Sequence, residues 1–580
     1  MTIQDILKNY FGYETFRPLQ EEIIRSVLDG RDTLALLPTG GGKSLCFQVP
    51  TLYMSKLPSA DQTGALCLVI TPLIALMKDQ VENLNHRNIR SAAIYTGMSY
   101  DQQRVALDNC QFGPYHFLYV SPERLESEDF RKRLCQLPIR LIAVDEAHCI
   151  CQWGYDFRPS YLHISRIRDH LVTPDGRRVP VLALTATATP DVVEDIQKQL
   201  CFEQNNVFRT SFSRPNLNYL VRYCTDSEPT AESVSDTQPQ SNAPATKPDM
   251  LRYIVERVSG SKIVYVRNRK RAEEIAKLLG CQFYHAGLSP AERSQRQEAW
   301  KNSQTTMVCT NAFGMGVDKP DVRLVVHYDL PDTIEAYFQE AGRAGRDGEK
   351  AYCVLLYAPS DRTKAHKRVR DNYPPRELVS QVYQRVCDYL QVGLGSGMGH
   401  TFAIHMDDLC RVMRLPLLPT YSALHLISQA GYIHFEDEQE TRPRVRINTD
   451  VHELRHYALP EEEQALLQNL MRRYTGVFTD LQYLHEDVTQ PLGEGKVKIS
   501  ELLVRLAQRG IVTYVPATRA CALTFTMERQ EDVYLSKTIY DLRERQFRDR
   551  LEAMIGYAEQ TQTSREQVLL EYFGEWRIEN

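Results

Sequence analysis

The chain alternates short apolar runs with longer amphipathic stretches. TLALLPT (33–39), ALCLVITP (65–72), FLYVSP (117–122), LIAVDEA (141–147) and VLALTAT (181–187) each end in turn-forming or polar residues. Such runs, apolar without alternation, suit central parallel strands covered on both faces. The segments between them are long enough for crossover helices, so the reading is an α/β domain over residues 1–208. A second set, KIVYVRN, MVCTNAF, LVVHYDL and AYCVLLY, predicts a second α/β domain over 209–358. Between them, TDSEPTAESVSDTQPQSNAPATKP (225–248) has no aromatic and almost no aliphatic residue. It cannot bury a core and is expected to be a disordered insertion.

The pattern changes after residue 358 and becomes mainly helical. Two pieces share one order. TYSALHLISQAGYIHFEDEQETRPRVRI (420–447) and ISELLVRLAQRGIVTYVPATRACALTF (499–525) each read as helix, glycine, strand, polar turn, strand. That order suits a winged-helix-like unit, and any helix followed by a hairpin reads the same. The expected division is an accessory region over 359–535 and a helical tail over 536–580.

Composition adds bounds. Of 580 residues, 43% are hydrophobic and 25% charged, and the formal net charge is −5. The chain is ordinary for a globular protein and is not coated in positive charge, though a basic groove can sit on a neutral body. No run is apolar enough for a membrane helix, and the N-terminus shows no secretory signal. The 14 cysteines are scattered, without a C-x-x-C pair, and read as reduced thiols in a cytosolic compartment.

Five segments carry chemistry. In LLPTGGGKSLCFQ (36–48), Thr39, Gly40, Gly41 and Gly42 form a loop between strand and helix. Its N–H groups can converge on phosphates, with Lys43 as a point charge and Ser44 as a Mg²⁺ hydroxyl. The strict phosphate-loop pattern wants glycine where this chain has Leu37. LIAVDEAH ends a strand in two acids: Asp145 can hold Mg²⁺ beside Ser44, and Glu146 can orient the attacking water. YFQEAGRAGRDG (337–348) offers Arg343 and Arg346 as a clamp on the outer phosphate. FGYETFRPLQ (11–20) offers Gln20 to a base edge and Tyr13 and Arg17 to its faces; an aromatic staple on the first helix is the competing reading. QWGYDFRPSY (152–161) is a loop just behind the acids. Trp153 and Phe157 can stack on bases, and Arg158 can reach a phosphate. The competing reading packs those aromatics into the domain.

In this order the segments closely resemble the RecQ family of superfamily 2 DNA helicases, from residue 5 to about 358. Further matching stretches are VITPLIALMKDQV (69–81), YVSPERL (119–125), LALTATAT (182–189), SFSRPNL (211–217), YHAGLS (284–289) and TNAFGMGVDKPDVRLVVHYDLP (310–331). The resemblance implies two tandem RecA-like lobes and an ATP- and Mg²⁺-dependent helicase with 3′→5′ polarity, acting in repair and recombination. It implies Tyr13, Arg17 and Gln20 as adenine readers, and Gln339, Arg343 and Arg346 as the last helicase motif, with Arg346 as the arginine finger. QWGYDFRPSY matches the family's aromatic-rich loop, which couples DNA binding to hydrolysis. Strand contacts are expected from Ser121, His285, Thr310 and Asn311. The implied partners are single-stranded and forked duplex DNA and single-strand-binding or other repair proteins, in a bacterial-type cytoplasm with the nucleoid, and no membrane.

Three departures stand out. Ser213 replaces the family's usual aspartate, and YVRNR (265–269) lacks its usual cysteine. The end, YAEQTQTSREQVLLEYFGE (557–575), resembles the last helices of the family's zinc platform, with Ser564 in place of the first cysteine, so no structural zinc is expected.

Overall fold

The computed structural model describes the chain apart from residues 39, 58–63, 96–97, 99, 152–157, 174–175, 227–244, 315–318, 441–442, 455–456, 458, 475, 479–481, 485–498, 516–518 and 576–580. It divides into two compact units. One joins residues 1–366 to 546–580, and the other is 367–545. These limits differ from the expected 358/359 and 535/536. Helix Pro359–Asn372 runs through one division and helix Asp541–Glu559 through the other. An apolar run marks where a strand ends, whereas a unit ends where tertiary contacts thin out.

The first unit holds both α/β lobes. In lobe 1 the strands are β1 Thr33–Leu36, β2 Leu66–Ile70, β3 Ser91–Ile94, β4 Phe117–Val120, β5 Ile139–Val144, β6 Val181–Thr185 and β7 Val207–Arg209. They form a seven-stranded parallel sheet in the order β3-β4-β2-β5-β6-β1-β7. Every residue of β1, β2, β4 and β6 is buried. Helices covering both faces explain why these runs do not alternate. In lobe 2, β8 Leu217–Tyr223, β9 Ser261–Tyr265, β10 Gln282–Tyr284, β11 Thr306–Cys309, β12 Val322–His327 and β13 Ala351–Tyr357 form a parallel sheet in the order β10-β11-β9-β12-β13-β8. Most of the expected insertion, residues 227–244, lies outside the described residues. Its ends are folded: Thr225 bridges Thr246, and Thr246 caps helix Lys247–Arg257.

Lobe 1 is knitted by one buried ion pair. The Arg168 guanidinium, 2% exposed, meets both Asp32 carboxylate oxygens and the Leu200 and Cys201 carbonyls. Asp32 also accepts from the Val181 N–H at 3.0 Å. Both terminal nitrogens of the guanidinium are bonded and both carboxylate oxygens accept, which offsets the cost of burying the two charges.

The second unit has two antiparallel sheets, one of β14 Thr401–Ile404, β15 Ile433–Glu440 and β19 Arg519–Phe525, the other of β16 Arg444–Ile447, β17 Gln482–Tyr483 and β18 Val512–Val515. Here the expected local hairpins fail. β15 pairs with β19 and not with β16; β16 pairs with β18 and not with β15. The two repeated pieces exchange strands, each sheet taking one strand from each piece. A strand's apolar pattern says that it needs a partner, not which one.

Candidate active site

Strand β1 delivers the glycine loop and β5 delivers the acids, as the sheet order places two strands' carboxyl ends side by side around β6. Gly40 and Gly42 have φ of 81° and 78°, which a residue with a Cβ adopts only under strain. The Gly41 N–H donates to the Pro38 carbonyl at 2.9 Å, closing the turn. Lys43 Nζ lies 3.9 Å from Glu146 Oε1, with both side chains mostly buried. Glu146 itself has φ of 47°, a left-handed backbone at a strand-to-turn junction. The adjacent Asp145 carboxylate accepts from the Glu146 N–H at 3.0 Å and from the Thr71 hydroxyl at 3.4 Å. Burial pushes the Asp145 carboxyl up to about 6; the neighbouring Glu146 charge adds to this and Lys43 opposes it. A buried acid pair with one ammonium nearby has charge to spare for a cation. Its all-oxygen donor set suits Mg²⁺.

Lobe 2 supplies the basic side. Helix Ile334–Ala341 carries Gln339, half-buried, in its last turn. Arg343 and Arg346 then diverge. Arg343 is 5% exposed and donates to the Gly314 carbonyl, inside its own lobe. Arg346 reaches the other lobe. A Cβ built on Gly40 would sit 3.6 Å from Arg346 Cδ. Of the two arginines, Arg346 is the one brought to the phosphate loop.

The other expected residues divide. Tyr13 is 51% exposed, and Arg17 is exposed with its guanidinium donating to the Gly40 carbonyl. Gln20 is turned onto the phosphate loop. It is 1% exposed; its Nε2 donates to the Gly41 and Gly42 carbonyls at 3.2 and 3.1 Å, and its Oε1 accepts from the Arg17 N–H at 2.9 Å. Thr39, Trp153 and Phe157 lie outside the described residues. Arg158 closes the aromatic loop. Its N–H donates to the Cys149 carbonyl at 2.9 Å, and its guanidinium lies 3.5 Å from the Pro72 carbonyl and 4.0 Å from Glu123. Ser121, His285 and Thr310 are 1%, 5% and 7% exposed, so these three side chains are not presented at the surface. His285 pairs with Glu273 at 3.1 Å. Asn311 is exposed directly after β11.

Several contributors escaped the sequence reading. The Tyr161 hydroxyl, at the end of QWGYDFRPSY, donates to the Asp145 carbonyl at 3.0 Å. His148 Nδ1 lies 3.0 Å from the Thr185 hydroxyl and 3.4 Å from Glu146 Oε2, linking the acids to β6. Arg214 and Asn216 hold the loop that bears Arg343 and Arg346 by its carbonyls. For Tyr161 a signal existed, since it lies in a loop already marked as functional. For His148 with Thr185, and for Arg214 and Asn216, the contact joins residues far apart in sequence.

Comparisons with known proteins agree with this geometry. Residues 17–196 match the DEAD/DEAH box helicase family model and 246–348 the helicase conserved C-terminal domain, one per lobe. The fold is that of a two-lobed helicase. Residues 526–580 match the RecQ zinc-binding model. Among similar proteins, the probable ATP-dependent DNA helicase RecS of Bacillus subtilis is 40% identical over 62% of this chain and 67% of its own length. The ATP-dependent DNA helicase RecQ of the same organism is 40% identical over 62% of this chain and 56% of its own. The chain belongs to the RecQ family of DNA helicases. It spans between 56% and 67% of these two relatives. A DNA-bound structure of the DUF1998 helicase MrfA shares the fold, with a TM-score of 0.50 and 19% identity over 63% of this chain and 52% of that one.

The zinc-binding match meets a donor set that does not fit zinc. Residues 526–580 contain neither cysteine nor histidine. Structural zinc is held by thiolates and imidazoles. Ser564 instead caps helix Arg565–Tyr572, accepting from the Gln567 N–H at 3.2 Å.

Proposed function

We propose that the chain hydrolyses Mg²⁺·ATP between its two lobes and uses the cycle to step 3′→5′ along single-stranded DNA and unwind duplex. The observation that carries this reading is the Arg346 side chain of lobe 2 resting against Gly40 of the lobe 1 phosphate loop. An arginine delivered across two lobes makes hydrolysis depend on how they meet, which is what a motor needs.

In this reading Lys43 and the N–H groups of residues 39–42 hold the outer phosphates. Ser44 and Asp145 would hold Mg²⁺, which would neutralise phosphate charge. Glu146 orients the water, and Arg346 meets charge developing on the γ-phosphoryl group. Arg343 and Gln339 support the loop and the site from lobe 2. Tyr13 and Arg17 receive the adenine. Gln20, bonded to the loop carbonyls, ties the base side to the phosphate side. Trp153, Phe157, Arg158 and Asn311 meet the DNA strand. Ser121, His285 and Thr310 contribute once strand binding uncovers them. The Tyr161 bond to the Asp145 carbonyl gives the aromatic loop a direct hold on the Mg²⁺ acid. Residues 526–580 act without zinc. Forked DNA, single-strand-binding proteins, a cytoplasmic location with the nucleoid, and a role in repair and recombination complete the reading. Among the described residues no helix is long and apolar enough to cross a membrane.

The test measures ATP hydrolysis with and without single-stranded DNA, and unwinding of a fork, for the wild type and Lys43→Ala. DNA-stimulated hydrolysis and unwinding, both lost in the variant, is the expected result. Hydrolysis indifferent to DNA would sink the motor reading.

A further inference from the structure

The tail Gln546–Glu575 returns to the junction of the lobes and grips the segment that joins them. Glu575 accepts from the Phe212 N–H at 2.8 Å and from the Ser211 hydroxyl. The Ser213 hydroxyl donates to Glu566 at 2.6 Å. The Phe573 ring, fully buried, lies 5.0 Å from both Phe212 and Phe338, and its carbonyl accepts from Arg209 of β7. These are carboxylate-assisted hydrogen bonds around an aromatic cluster, the stronger kind of polar contact on a rigid apolar base. The tail also reaches lobe 1 beyond β7: a Cβ on Gly574 would come within 2.7 Å of Pro190.

The gripped segment in turn grips the arginine loop. Arg214, next to Ser213, donates to the Gly342 carbonyl at 2.9 Å, to Ala344 at 3.0 Å and to Gly345 at 2.7 Å. Asn216 donates to the Gly345 carbonyl at 2.8 Å and to Glu349 at 3.0 Å. Gly345 has φ of 55°, and a Cβ there would strike Asn216. Arg346 follows at once and reaches Gly40. The chain of contacts is continuous, from tail to interlobe segment to arginine loop to phosphate loop. The tail also holds the preceding helix directly, with the Tyr557 and Tyr337 hydroxyls 3.1 Å apart and Arg550 3.6 Å from Glu335.

We propose that the tail, through Glu566, Phe573 and Glu575, is a positioning element for Arg346: it fixes residues 211–216, and these fix the backbone that aims the arginine across the lobes. The proposal rests on the reading of Arg346 as the arginine finger. The tail acts on Arg346 through residues 211–216, so its residues are positioning residues. Their loss should reach the transition state and spare ground-state binding.

The experiment is a double-mutant cycle on the full-length chain, reading DNA-stimulated ATP hydrolysis. Glu575→Gln keeps size and removes the charge. It should lower kcat about tenfold and leave the KM for ATP within about twofold, since small misplacements of a catalytic group cost rate. In an Arg346→Ala background the same change should cost nothing further, because the group it aims is gone. Ser213→Ala, which removes only the Glu566 bond, should act in the same direction to a smaller degree, and stands in if Glu575→Gln folds poorly. An unchanged kcat in both variants, or a loss that persists in full without Arg346, overturns the proposal. If Arg346→Ala itself hydrolyses like wild type while Lys43→Ala does not, the arginine-finger reading has failed, and the tail proposal falls with it.

Discussion

The two lobes share a parallel sheet and hold their charges in opposite ways. Lobe 1 sets its acids by its own folding: Asp145 and Glu146 end β5, and Thr71, Tyr161, Lys43 and His148 pack around them from the same lobe. Lobe 2 does not set its arginines alone. Arg343 is tied inside the lobe to Gly314, but the loop carrying Arg346 is held by Arg214 and Asn216, which belong to the connection between β7 and β8. The difference teaches where control lies. The acidic half is a fixed cradle. The basic half depends on how the lobes are joined, so events at the junction can change the rate without touching ATP binding.

That contrast can be broken at graded cost. Apart from Arg346→Ala, the largest effect should come from Glu146→Gln, which removes the carboxylate proposed to orient the water but keeps its shape. Hydrolysis should fall about 10³-fold while nucleotide binding survives, read by steady-state rates against nucleotide titration. A binding loss of similar size would mean that Glu146 holds nucleotide, not water. Arg214→Ala should cost less, roughly 10–100-fold in kcat with KM for ATP little changed. An equal rise in KM would show that the loop also binds the ground state. Arg168→Met should leave the chemistry and attack the cradle itself. One-sided loss of a buried pair costs about 3–5 kcal/mol, seen as a lower urea midpoint.

The smallest effect is a pH effect. The Asp145 carboxyl is held up to about 6, above its ordinary value near 4, so ionising it works against folding as pH rises through that window. Asp145→Asn should therefore unfold at a higher temperature than wild type above about pH 6 in the absence of nucleotide, and the advantage should vanish below about pH 4. Stabilisation by Mg²⁺·ADP should weaken in the wild type as pH falls through about 6, because protons compete with the cation. An advantage for the variant that persists at low pH would place the effect in packing.

How much of this was legible depended on range. β1 with its glycine loop and β5 with its acids were plain, because a buried parallel strand is a wholly apolar run and its chemistry follows at the carboxyl end. Arg346 was marked by its glycine-flanked setting. Gln20 was read as a base reader from the fit of aromatic, arginine and glutamine side chains to adenine; its burial on the loop carbonyls was not legible. Arg168 with Asp32 and Arg214 with Gly342 were illegible: separations of 136 and 128 residues leave no local pattern. Four of the C-terminal strands, β15, β16, β18 and β19, were found without their partners, and β14 and β17 were missed. Apolar alternation places β15 and β16 without saying that each pairs with the other piece of the chain.

We propose that hydrolysis is completed across the lobes by Arg346. The most direct measurement is single-turnover ATP hydrolysis on saturating single-stranded DNA, wild type against Arg346→Ala, with nucleotide affinity measured in parallel. The account predicts a loss of about 10³-fold or more in the hydrolysis step with affinity nearly unchanged. Hydrolysis by Arg346→Ala at the wild-type rate would contradict it.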